Sequence, residues 1–312
     1  EHGHEYEDVL LTMGNLGERN GCGRAMWEYD RELDRYGTPM ALMLLPFWTD
    51  GCIASMEGLY FESASTTPYH FLNQSALSAA PSRAQRDLPY RDFDVDLGVR
   101  QLQMMGVRYY MALSDRAITA ADAHPSLTEV ARSGPWVVYE VADAQLVEPV
   151  ANLPAVFADP PDRNHEWIEA TADLFQAPAY WSVLLAADGP ADWPRTPGYD
   201  ASPAIPVDAV EVSNVVLEDD RIAFDVSEPG VPILVKVSYF PNWSASGAEG
   251  PYRVSPNFMV VVPTDTHVEL SYGRAPVEVA GIGLTALGLV GLVLLVRAGP
   301  LPAPRPDDLV DD

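Results

Sequence analysis

The sequence predicts an α+β protein: an N-terminal α/β-type ectodomain, then a β-sandwich, then one C-terminal transmembrane helix. Three observations predict it. Residues 279–296 read VAGIGLTALGLVGLVLLV, with Thr285 the single polar residue. Upstream of residue 150, helical and strand-like periodicities alternate, as in α/β or α+β domains. Between 205 and 274 they give way to short alternating or wholly apolar runs divided by turn residues.

Taken in order, residues 5–19 predict a helix with Val9, Leu10, Met13 and Leu16 on one face. RAMWEYDRELDRYG (24–37) reads as a further helix stopped by Gly37, since Pro39 forbids continuation. MALMLLPFW is too short to span a bilayer and reads as core. Residues 60–90, rich in Ser, Thr, Pro and Gln, suit a long surface segment with short helices. A helix over 95–105, a strand over 107–113, a helix near 119–132 and a strand over 136–141 complete a domain at 1–150. Residues 151–204 read as a Pro-rich connector around one helix, HEWIEATADLF. Residues 205–274 predict a sandwich of about six strands. Residues 277–296 follow as the membrane helix and 297–312 as a cytoplasmic tail.

The anchor rests on length and composition. About 20 apolar residues cross a hydrocarbon core of ~30 Å. The eleven Val, Ile and Leu side chains of 279–296 favour insertion by roughly 3 to 6 kcal/mol. Arg297 and Arg305 after the helix, against Arg274 before it, place the tail inside by a margin of one arginine. The bulk of the chain is therefore expected outside the cell membrane. Glu1 is not an initiator Met and no signal peptide follows it, so a cut inside a longer protein is the expectation. Gly281, Thr285 and Gly288 form a stripe of small residues. It suits close packing against other transmembrane helices, although glycine is also common in lone spans.

The net charge of −26 opposes binding to nucleic acid, whose phosphates would be repelled. Cys22 and Cys52 are the two cysteines. Outside the cell such a pair suits one disulfide, with two buried thiols as the alternative. Two cysteines without clustered histidines do not make a zinc site. His2 and His4 with Glu1 and Glu5 are potential metal ligands at a fraying end, where solvated side chains are the simpler reading. No metal, cofactor or catalytic constellation is expected: phosphate loop, dinucleotide fingerprint, nucleophile elbow and HExxH are all missing.

The chemistry-bearing residues concentrate near 24–73. Arg24, Trp27, Glu28, Asp50, Glu57 and Glu62 lie in an aromatic-rich segment, followed by His70 and Asn73. Carboxylates beside aromatic rings suit sugars, because rings stack on C–H faces and carboxylates accept from hydroxyls. The same groups suit a buried Arg–Glu pair or a core histidine. In the sandwich, Tyr239 and Trp243 are candidates for packing at a membrane interface.

Several motifs resemble one family. GRAMWEY, YGTPMALMLLPFWTDGC, MEGLYFESASTTPYHFLNQSALS, LQMMGVRYYMA, SGPWVVYEV with LVEPV, and GVPILVKVSYFPNWSASGAEGPYRVSPNFMVVVP are similar to segments of large bacterial membrane proteins. These are labelled 6-pyruvoyl-tetrahydropterin synthase-related and are similar to YfhO-like and GT-C type glycosyltransferases. The resemblance covers roughly residues 5–296 and is to the C-terminal ectodomain and last membrane helix. It implies many membrane helices upstream, where a lipid-linked sugar donor binds and catalysis takes place. This chain would then be accessory to sugar transfer onto a cell-envelope glycan. A non-enzymatic anchored ectodomain that binds an envelope glycan or protein is the alternative.

Overall fold

The computed structural model describes residues 2–57, 65–161 and 163–299. Glu62, Arg305 and most of the expected tail lie outside the described residues. The first half contains α1 (His2–Asn20), β1 (Gly23–Trp27), α2 (Leu45–Trp48), β2 (Ile53–Ser55) and α3 (Thr67–Leu77). It continues with α4 (Val95–Met104), β3 (Val107–Ala112), α5 (Asp115–Asp122), β4 (Leu127–Ser133) and β5 (Trp136–Val141). Next come β6 (Val147–Pro149), β7 (Ala155–Phe157), α6 (Asn164–Phe175), β8 (Leu185–Ala186) and β9 (Arg195–Thr196). The last part holds β10 (Val212–Leu217), β11 (Arg221–Val226), β12 (Ile233–Val235), β13 (Trp243–Ser246), β14 (Ala248–Val254), β15 (Phe258–Pro263), β16 (His267–Tyr272) and α7 (Pro276–Ala298).

Among the described residues the first sheet runs β2-β1-β3-β5-β4. Its β2-β1-β3 part is parallel and its β3-β5-β4 part antiparallel. Strand side chains alternate between two cores. Ala25, Trp27, Tyr109, Met111, Trp136 and Val138 pack under α1 with Val9, Met13 and Leu16. Met26, Val107, Tyr110, Val137 and Tyr139 pack on the other face with residues of α3, α4 and α5. A sheet covered on both faces explains one departure from expectation. Residues 23–27 are a strand, not the start of a helix, because a parallel strand buried on both sides shows no alternation in its sequence. Residues 31–36 do coil, as a 3-10 turn, and Gly37 at φ 100° ends it where expected.

Two further expectations are corrected. The segment 119–132 is not one helix: α5 ends at Asp122 and β4 starts at Leu127. Pro125 disfavours helix at the preceding His124, which accounts for the break. The polar stretch around residue 70 is not surface: every residue of α3 is buried. Several of its polar groups are met from distant elements. Asn73 donates to the Gly98 carbonyl at 2.8 Å, Ser75 to the Arg91 carbonyl at 2.7 Å, and the Tyr69 hydroxyl lies 2.5 Å from that of Thr171.

The second half is a sandwich. The sheet β10-β11-β16-β13 faces a second sheet of order β6-β12-β15-β14-β8-β7-β9. Ile222, Phe224, Val268 and Leu270 from the first meet Ile233, Val235, Met259 and Val261 from the second. The second sheet also takes in β6 to β9, so strands from the 151–204 segment and from either side of it share one ladder. The α6 helix predicted there packs Ile168, Ala172 and Phe175 into the core shared with α3 and α4. α7 follows β16 after three residues, contains an 18-residue stretch with a mean hydropathy of 2.5 and buries none of that stretch in the protein. It is long and apolar enough to cross a membrane. Thr285 spends its hydroxyl on the Gly281 carbonyl within that helix.

Candidate functional site

The residues predicted to contact a glycan divide between structural roles and the surface. Trp27, Glu28, Glu57, His70 and Asn73 are all buried. Glu28 follows β1, where its carboxylate accepts from the backbone N–H groups of Ala79 at 3.0 Å and of Leu113 and Ser114 at 2.8 Å. The Ser114 hydroxyl adds a fourth donor at 2.7 Å. Four donors compensate a carboxylate removed from water. Glu28 thereby ties β1 to the ends of α3 and β3, and has no face left for a sugar.

Arg24 is equally committed. Its guanidinium donates to the Met105 carbonyl at 2.8 Å and the Lys236 carbonyl at 2.6 Å, bridging the first sheet to β12. Burial pushes its pKa down to about 10. Lys236, the single lysine, is 2% exposed; its ammonium donates to the Gln103 carbonyl and pairs with Glu148, each at 2.9 Å. Burial lowers its pKa, with Glu148 acting in the opposite direction. These two cations clamp the halves of the molecule together.

His70 and Glu57 form a buried polar pair beside the Trp27 ring, with Asn73 further along α3 and bonded to α4. His70 Nε2 lies 3.4 Å from Glu57 Oε2, and the imidazole lies 6.1 Å from the Trp27 ring, centroid to centroid. Among the described residues, Trp27 Nε1, Glu57 Oε2, His70 Nδ1 and Asn73 Oδ1 have no hydrogen-bond partner. Acid–base chemistry needs such a pair within reach of a substrate. Here the two side chains are 0% and 4% exposed.

Asp50 is different. It is exposed and lines an open cleft of about 590 Å³ between α1 and the segment after α2. Tyr6, Leu10, Leu11 and Trp48 give the cleft apolar walls; Glu7, Asn15, Glu18 and Asp50 supply acceptors and an amide. Trp48 is 56% exposed, and Phe47, 70% exposed, braces it edge-on at 5.0 Å. The expectation that 40–48 is core holds for Ala41, Leu42 and Leu45, while Leu44, Phe47 and Trp48 turn outward. The helical turns over 41–48 cause this split, since Leu44, Phe47 and Trp48 lie three and four residues apart and share a face. The Tyr6 hydroxyl is fixed by the Ala41 carbonyl at 2.8 Å. The disulfide Cys22–Cys52 forms as expected, and Cys52 lies in the cleft wall.

Glu7, Leu11, Asn15 and Glu18 escaped the sequence reading, which followed only the buried face of α1. Their spacing of four, four and three residues puts them on one outer face, a signal available in the sequence. Tyr239 and Trp243 sit at the end of the sandwich nearest α7. Trp243 starts β13 and meets Tyr272 edge-on at 5.3 Å; Tyr239 is half-buried beneath the Arg253 guanidinium at 5.9 Å. Among the described residues no three His, Cys, Asp or Glu side chains gather as a metal site. Compared with protein-family models, curated proteins and solved structures, the chain matches none.

Proposed function

We propose that this chain is the extracytoplasmic, membrane-anchored part of a cell-envelope protein, and that the cleft beside Trp48 binds a glycan. The observation that carries the reading is the composition of that cleft: an exposed, braced indole next to Glu7, Asn15, Glu18 and Asp50. An indole face covers the C–H face of a pyranose, and carboxylates and an amide accept from and donate to its hydroxyls. Open clefts with apolar walls and a few convergent polar groups are where ligands bind. The disulfide fits an oxidising compartment, and α7 fits an anchor. In the glycosyltransferase-like setting that the sequence resembles, the domain is accessory. It holds the acceptor glycan while sugar passes from a lipid-linked donor on membrane helices outside this chain, against which the Gly281–Thr285–Gly288 stripe would pack.

The test is an array of cell-envelope polysaccharide fragments probed with the full chain in nanodiscs. The wild type binds a subset, and Trp48→Ala weakens that binding about tenfold, the equivalent of ~1.4 kcal/mol. Silence of the wild type across the array, or Trp48→Ala binding unchanged, sinks the reading. The outward apolar groups Leu11, Leu44 and Phe47 favour a second reading, in which this face packs on a protein of the envelope. A silent array together with loss of a co-purifying protein in Phe47→Ser would move the cleft to that reading.

A further inference from the structure

The end of the sandwich beside α7 carries an aromatic group that the sandwich core uses only in part, through Trp243. Phe240 is 53% exposed and Tyr272 42% exposed, and their rings lie 6.1 Å apart. Trp243 completes the set against Tyr272, while β13 and β16 pair through those same two residues. Phe240 and Trp243 each contact Tyr272 at a strand end; Phe240 and Tyr272 face solvent and Trp243 is partly buried, which leaves the outer side of the group open to an occupant.

The junction with α7 identifies it. The Asn242 side chain donates to the Gly273 carbonyl and to the Glu278 carboxylate, each at 2.8 Å. Glu278 also accepts from the Ala275 backbone N–H at 2.6 Å, closing the first turn of the helix. The Gly273 N–H returns to the Asn242 carbonyl at 3.1 Å. The three residues between β16 and α7 are therefore fastened to the loop that carries Phe240 and Trp243. Glu278 is the last charged group before the apolar run that starts at Val279, so it marks where water gives way to lipid. Asn242, the neighbour of Trp243, touches that marker directly.

We infer that Phe240, Trp243 and Tyr272 form a foot that rests in the headgroup layer of the bilayer and, with the Asn242–Glu278 clasp, fixes the ectodomain on its anchor. Trp243 and Tyr272, each with an apolar ring and a polar tip, favour that layer, and Phe240 adds apolar surface beside them. The foot does not enter the hydrocarbon, because the turn Glu218–Asp219–Asp220 lies beside it, with the Tyr272 N–H bonded to the Asp220 carbonyl at 2.7 Å. Carboxylates there hold that corner in water. The inference is independent of what the cleft at Trp48 binds.

The test places a thiol-reactive fluorophore at single introduced cysteines in the full chain, in nanodiscs of zwitterionic lipid carrying a nitroxide on the headgroup. Three sites are compared: Phe240→Cys in the foot, Thr266→Cys at the far end of β16, roughly 20 Å away by strand rise, and Leu287→Cys in α7. The headgroup nitroxide should quench the fluorophore at 240 severalfold more than at 266. A mid-chain nitroxide should quench the one at 287. Equal, weak quenching at 240 and 266 with strong quenching at 287 overturns the foot alone. No quenching at 287 removes the bilayer from the account and the foot with it.

Discussion

At the scale of single residues, chemistry and position separate. Glu28 has the residue type of a sugar-binding acid, but three backbone N–H groups and one hydroxyl consume its carboxylate. Its removal leaves three buried donors without an acceptor, at roughly 1–3 kcal/mol each. Glu28→Ala should therefore destabilise the chain by about 3 kcal/mol or more, read as the shift in a denaturation midpoint. Glu7→Ala, on the cleft rim, should stay within about 0.5 kcal/mol. Equal effects of the two would contradict the separation of roles. The sequence shows both as acidic residues near aromatics. What distinguishes them is which strand end or helix face receives each one, and that depends on partners such as Leu113, some 85 positions away.

At the scale of elements, legibility followed how a segment is buried. α1 and α4 were readable because each shows the period of its own geometry on one face, and β5 because its run of β-branched and aromatic residues suits a strand buried on both faces. β1 was not, since both its faces are covered and its neighbours in sequence are helix formers. α3 was not, because its polar residues are buried along with its apolar ones, several of them hydrogen-bonded to α4, α6 and the Arg91 loop. The two cysteines were legible as a pair, and their bond fastens the turn after α1 to the start of β2. With a sequence separation of 30, the chain-entropy account gives the bond roughly 3–4 kcal/mol. Cys22→Ser with Cys52→Ser should lower stability by about that amount. It should also weaken glycan binding, because Cys52 is part of the cleft wall. Stability lost with glycan binding intact would show that the cleft is held by its helices alone.

At the scale of the whole molecule, the chain is a single body on a stalk of three residues. One core runs from α3 and α4 through α6 into β14 and β15. Arg24 and Lys236 clamp the same joint with buried charge. This continuity was hidden in the sequence, where the proline-rich stretch at 151–204 looks like a linker. Strands of two or three residues carry too little pattern to show that they complete a sheet. The long apolar helix α7, by contrast, was fully legible, because its signal is length and composition alone.

The claim on which everything else depends is that this body stands outside the membrane that α7 enters. Asp159 is exposed and remote in sequence from both the cleft and the foot. An Asp159→Cys variant should react with a membrane-impermeant maleimide in intact cells, in protein that stays in the membrane fraction after an alkaline carbonate wash. Labelling only after the cells are lysed, or release of the protein by the wash, would contradict the account.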